Sequence, residues 1–128
     1  MEQLPLQLIR LLLVNQVEFS PFLYQKELVN YCKSKDILIE AYCGLTRGRK
    51  FNNIQLQTIA AKYNKSPSQI LLRWGIQHKI IEIPKSKSKD HIIENSQIFD
   101  FIITKDDMEI LNNLNEDFRL VDDPNDYK

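Results

Sequence analysis

The sequence is poor in the residues that mark special architectures: two cysteines, three glycines and five prolines in 128 residues, with no excess of either charge. Each scarcity excludes a class. So few Gly and Pro exclude a collagen-like or low-complexity chain. Seventeen Lys+Arg balance seventeen Asp+Glu, which excludes the basic surface that neutralises nucleic-acid phosphates. The longest apolar run, Leu11-Leu12-Leu13-Val14, is far short of the roughly 20 residues that cross a membrane. A secretory signal is not expected either. Glu2 stands in place of a basic n-region, Gln7 and Arg10 interrupt the apolar stretch, and no small-residue cleavage site follows. The expectation is a cytoplasmic protein without a nucleic-acid or membrane partner. In that compartment Cys32 and Cys43 are free thiols, partly buried. With His78 and His91 they are spaced by 11, 35 and 13 residues, which matches no zinc-ligand pattern, so no metal site is expected.

What is present is ordinary for one globular domain: 43% hydrophobic and 27% charged residues. Val14 to Phe19 alternates and is β-rich, with Pro21 marking its end. Gln25 to Lys35 places Leu28, Val29, Tyr31 and Cys32 at helical spacing. Ile37 to Tyr42 is a mostly apolar strand of the kind covered on both faces. A turn-rich stretch, Gly44 to Lys50, carries Arg47, Arg49 and Lys50. Ile54 to Tyr63 is a helix with Leu56, Ile59 and Ala60 on its apolar face. Ser66-Pro67-Ser68-Gln69 combines an N-cap, a first-turn proline and a capping-box glutamine, opening a helix that runs to about His78. Ile80 to Ile83 is a third strand stopped by Pro84. Asp90 to about Ile98 is helical, and Thr104 with Asp107 caps a last helix bearing Met108, Ile110, Leu111 and Leu114. Strands alternating with helices predict an α/β fold with a parallel sheet and right-handed crossovers. Periodicity alone leaves open whether this is a small open sheet or part of a barrel.

Four segments carry more than periodicity: Val14-Asn15-Gln16-Val17-Glu18-Phe19-Ser20-Pro21, Glu40-Ala41-Tyr42-Cys43-Gly44-Leu45, Ser66-Pro67-Ser68-Gln69-Ile70-Leu71-Leu72-Arg73-Trp74, and Ile83-Pro84-Lys85-Ser86 followed by Ile92-Ile93-Glu94-Asn95. In this order and spacing they resemble the carboxyl-terminal part of an aldo-keto reductase. The resemblance divides the chain into a divergent segment (1–13), the C-terminal half of the reductase (14–114) and a polar, irregular tail (115–128). It implies a partial (β/α)8 TIM barrel of about three parallel strands with covering helices.

The resemblance also implies a chemistry. The family transfers a hydride from NADPH to an aldehyde or ketone, with a Tyr proton donor assisted by Lys, Asp and His, all from the amino-terminal half. None has a counterpart here, so no catalytic residue is expected in this chain. What remains matches the cofactor side. Gln16 corresponds to the residue that hydrogen-bonds the nicotinamide carboxamide, and Tyr42 to the aromatic that stacks under its ring. Cys43, in place of the usual Ser, Leu45 and Arg47 lie along the pyrophosphate. Lys85 and Ser86 grip the 2′-phosphate of NADP, with Lys87 adding positive field. His91 replaces a common Arg and loses its bidentate fork, which leaves NAD(H) open beside NADP(H). Glu94 and Asn95 contact the adenine. Two functions follow: the cofactor-binding part of an NADP(H)-dependent reductase, taking a small carbonyl substrate only when completed by an N-terminal half, or a non-enzymatic remnant or nucleotide-binding fragment. Open sheet edges predict self-association or a partner chain.

Overall fold

In a computed structural model the described residues are 14–83 and 88–121. Three strands, β1 (Val14–Glu18), β2 (Leu38–Tyr42) and β3 (Ile81–Glu82), form one parallel sheet in that order. β1 and β2 pair in register from Val14–Leu38 to Glu18–Tyr42, and β2 meets β3 at Glu40–Ile81 and Ala41–Glu82. Helix α1 (Lys26–Ser34) makes the first crossover. The second crossover carries two helices, α2 (Ile54–Tyr63) and α3 (Pro67–Gln77), and α4 (Lys89–Ser96) and α5 (Lys105–Asn112) follow β3.

The helices start where side chains meet the orphan amides of their first turns. Asn53 accepts from Leu56 N at 3.0 Å. Ser66 and Gln69 form the reciprocal capping box, with Pro67 as the first helical residue. Thr104 accepts from Asp107 N at 3.3 Å. Asn64, left-handed at φ 54°, ends α2.

One face of the sheet is shut beneath the helices. Val17, Ile39 and Ala41 join Val29, Cys32, Leu56, Ile59, Ile70, Leu71 and Trp74 in a continuous core. Phe19 stacks on Trp74 with ring centroids 4.8 Å apart. The Trp74 indole donates to Asn112 Oδ1 at 2.8 Å, tying α3 to α5. His78 Nε2 shares that oxygen at 2.8 Å. An amide oxygen only accepts, so Nε2 carries the proton and Nδ1 faces the Tyr24 hydroxyl at 3.5 Å. Burial, offset in part by the Asn112 contact, lowers the His78 pKa below its ordinary value.

Two expectations change. The second strand is not covered on both faces: Ile39 and Ala41 are buried, while Leu38, Glu40 and Tyr42 are half-buried. The other face opens instead onto a cavity. In α1, Val29 and Cys32 turn inward, but Tyr31 is 58% exposed, because its hydroxyl-bearing ring falls on the solvent side of the same helical turn. Among the described residues no helix is long and apolar enough to cross a membrane, and both cysteines are free thiols.

Candidate functional site

The cavity-facing side of the sheet is built by strand alternation, which sends Gln16 and Glu18 of β1, and Glu40 and Tyr42 of β2, to one side. Gln16 and Glu40 are register partners, and Gln16 Nε2 donates to Glu40 Oε1 at 2.8 Å. A cavity of about 680 Å³ opens here, with Gln16, Glu40, Tyr42, Cys43, Leu45, Arg47 and His91 in its wall.

The loop after β2 bends around this cavity at a conformational cost. Cys43, Thr46, Arg47 and Gly48 have φ of 54°, 55°, 51° and 75°, and only the glycine enters that region freely. Each of the other three costs on the order of 1 kcal/mol, a strain that persists only where surrounding contacts over-determine it. Thr46 supplies those contacts from within. Its side chain is shut in the interior at 1% exposure. Its Oγ1 donates to Leu45 O at 2.6 Å and accepts from Lys50 N at 3.3 Å. The amides of Thr46 and Gly48 reach back to the carbonyls of Cys43 and Leu45, both at 2.9 Å.

A second cavity of about 290 Å³ shares Leu45, Phe51 and His91 with the first, so the two form one elongated cleft. Ser66, Ser68, Glu94 and Asn95 line its far end. There the start of α3 is bonded to α4: Ser68 Oγ donates to Glu94 Oε1 at 3.1 Å, and Gln69 Nε2 to the Glu94 carbonyl at 2.9 Å.

Of the residues singled out from the sequence, Gln16, Tyr42, Cys43, Leu45 and His91 surround the larger cavity, and Glu94 and Asn95 the smaller. Lys85, Ser86 and Lys87 lie outside the described residues. Sequence reasoning missed Glu40, Phe51 and Val121, which also line the larger cavity. It also missed the role of the tail. Residues 115–121 have neither helix nor strand, yet they do not stand apart from the domain. The Glu18 carboxylate, 4% exposed, accepts from Leu120 N at 2.7 Å and Val121 N at 2.9 Å. Glu116 and Phe118 donate their amides to Phe22 O at 3.1 and 3.0 Å. Lys50 pairs with Glu116 and lies 4.3 Å over the Phe118 ring. A buried acid at a strand end was the one available signal, and it does not reveal which amides it holds.

The cleft has an amide, a carboxylate and a phenol ring at one end, hydroxyls with an acid and an amide at the other, and Leu45 and Phe51 between. This donor set offers polar contacts at both ends of the cleft and an apolar stretch between them.

The sequence matches the Aldo/keto reductase family over residues 8–116, a stretch that takes in part of the segment read above as divergent. The chain is 47% identical over 112 residues to the glyoxal reductase of Bacillus subtilis (strain 168), covering 88% of this chain and 41% of that protein. It is also 47% identical over 115 residues to the uncharacterized oxidoreductase YtbE of the same organism, covering 90% of this chain and 41% of that one. The chain thus spans about two-fifths of the length of these curated relatives. A mutant of Gox0644, crystallised in complex with NADPH, superposes with a TM-score of 0.85 at 32% identity, over 91% of this chain and 43% of its own. The three parallel strands are therefore part of an α/β barrel. By sequence and by fold, the chain belongs to the aldo/keto reductase family.

Proposed function

We propose that this chain forms the cofactor-binding side of an NADP(H)-dependent reductase of aldehydes or ketones. One observation carries the reading: Gln16, Tyr42, Cys43, Leu45 and His91, brought from three separate segments, surround a single cavity. In this reading Gln16 bonds the carboxamide and Tyr42 supports the ring face. The strained loop 43–48 follows the pyrophosphate, Glu94 and Asn95 receive the adenine, and Lys85, Ser86 and Lys87 with His91 hold the 2′-phosphate. Bound NADP(H) supplies the hydride. The chain's own groups bind and orient it, and a proton donor comes from barrel strands beyond these three. β1 and β3 are the edges of the described sheet, and such edges pair with further strands. Those strands belong to the same polypeptide, a separate partner chain or a second copy. Carbonyl reduction then requires that completed barrel.

Calorimetric titration with NADP+ and NAD+ tests the reading. Saturable binding is expected, with NADP+ favoured about tenfold through one net extra charge-assisted contact. Lys85→Ala is expected to remove most of that preference. Equal affinities unmoved by Lys85→Ala, or no binding at all, would overturn the proposal.

A further inference from the structure

The amide of Gln16 has two unlike ends: the oxygen accepts hydrogen bonds and the NH2 donates them. Its neighbour Glu40 decides which end is committed. A carboxylate only accepts, so the 2.8 Å contact between Gln16 and Glu40 Oε1 takes the NH2 end. The two side chains are held face to face by the β1–β2 register, and both line the cavity. The Glu18 carboxylate on the same face accepts from the amides of Leu120 and Val121 instead. The NH2 keeps a second N–H, but its engagement by Glu40 fixes the orientation of the amide, so Oε1 is turned away from Glu40 as the acceptor offered to a ligand.

We propose that Glu40 is a positioning residue that presents Gln16 to the cavity as an acceptor. This end of the cleft thereby selects a ring substituent bearing an N–H donor. The Glu40 charge lies in the same wall and favours a cationic ring over a neutral one. The inference rests on the nucleotide reading above, where that ring is the nicotinamide. Its oxidised form is cationic and its reduced form neutral. Glu40 touches no reacting atom and acts through Gln16 and through its field.

Three probes separate this from a structural role: NADP+, NADPH and the 3-acetylpyridine analogue of NADP+, in which a methyl group replaces the carboxamide NH2. The wild-type chain is expected to bind NADP+ about tenfold more tightly than the analogue, the worth of one donor lost opposite a committed acceptor. Glu40→Gln keeps the shape but can donate to Gln16 Oε1 or accept from its NH2, so the Gln16 amide is free to turn over. In this variant the preference is expected to fall to about twofold, and the NADP+ to NADPH affinity ratio to fall several-fold. A merely structural role would weaken all three probes alike. Gln16→Met, which has no amide to orient, is expected to abolish the analogue preference whether or not Glu40 is present. Equal wild-type affinities for NADP+ and its analogue overturn the inference even if Glu40→Gln does not fold. Ratios unmoved in a folded Glu40→Gln overturn it too, while leaving the nucleotide reading intact. A wild-type chain that binds none of the three overturns both.

Discussion

The two faces of the three-stranded sheet follow opposite rules. Toward the helices, Val17, Ile39 and Ala41 are shut into an apolar core. Toward the cavity, the same strands carry Gln16, Glu18, Glu40 and Tyr42, and each polar end is spent on a neighbour strand, on the chain's own tail or on the cleft wall. A parallel strand buried in a closed barrel usually reads as apolar on both sides. Here the alternation separates the work: one face stabilises and the other recognises. The helix-facing layer is not wholly apolar: Asn15 meets Cys32 of α1 there, and Glu82 is its acidic exception. Glu82 pairs with Ala41 in the sheet, and its carboxyl fills the space beside Gly75 and Gly44. A Cβ on Gly75 would collide with Oε1, and one on Gly44 would come within 2.6 Å of Oε2. The two glycines are small because the acid is there. Burial pushes the Glu82 carboxyl well above the usual carboxylate range.

The comparison breaks most severely at Trp74, which is fully buried and joins the core to α5. Trp74→Ala is expected to cost about 3–5 kcal/mol in urea unfolding, through the cavity it leaves and the lost hydrogen bond to Asn112, which keeps only His78. A loss below about 1 kcal/mol would show that the helix-facing layer does not carry the stability.

Glu82 tests the exception. Its folded pKa is raised, so its favourable contribution is complete below its ordinary value of 4.5 and declines as the pH rises. The decline has a slope of at most about 1.4 kcal/mol per pH unit. His78 has the opposite sign: its folded pKa is lowered, so its contribution is complete above 6.5 and is lost as the pH falls. Glu82→Gln is expected to remove the decline on the alkaline side and leave the His78 dependence. Melting temperatures of both proteins across pH 5 to 8 check this, and parallel curves would refute it.

Glu18 tests the cavity face. Glu18→Gln keeps the size of the side chain but gives up the charge and one acceptor oxygen. The tail at Leu120 and Val121 is expected to open more readily by about 1–2 kcal/mol. Hydrogen exchange at those two amides should accelerate at least several-fold, with the core amides of α3 unchanged. Uniform acceleration throughout the molecule would mean that the acid supports the fold and not the tail.

The smallest effect is expected at His91, which is exposed on α4 at the junction of the two cavities. His91→Arg supplies a bidentate fork to a 2′-phosphate, so NADP+ affinity should rise several-fold with NAD+ affinity unchanged. Equal gains for both nucleotides would place the new contact away from that phosphate.

Most features that depend on short spacing were legible in the sequence, the second strand's open face and the outward Tyr31 excepted. The capping box at Ser66–Gln69, the cap at Thr104, the inward face of Leu56, Ile59 and Ala60, and the order of strands and helices were all readable from local pattern. Their hydrogen bonds and periods close within a few residues along the chain. The site was readable in part, because Gln16, Tyr42, Cys43 and Leu45 sit in short motifs at strand ends. Tertiary structure alone decided what crosses between elements. It set Glu40 against Gln16 across 24 residues, brought Leu120 and Val121 to Glu18 across more than a hundred, and lodged Glu82 between two glycines. Nothing in local pattern encodes those pairings. Strand register and the return of the tail are chosen by which apolar faces bury together, and the polar partners follow from that choice.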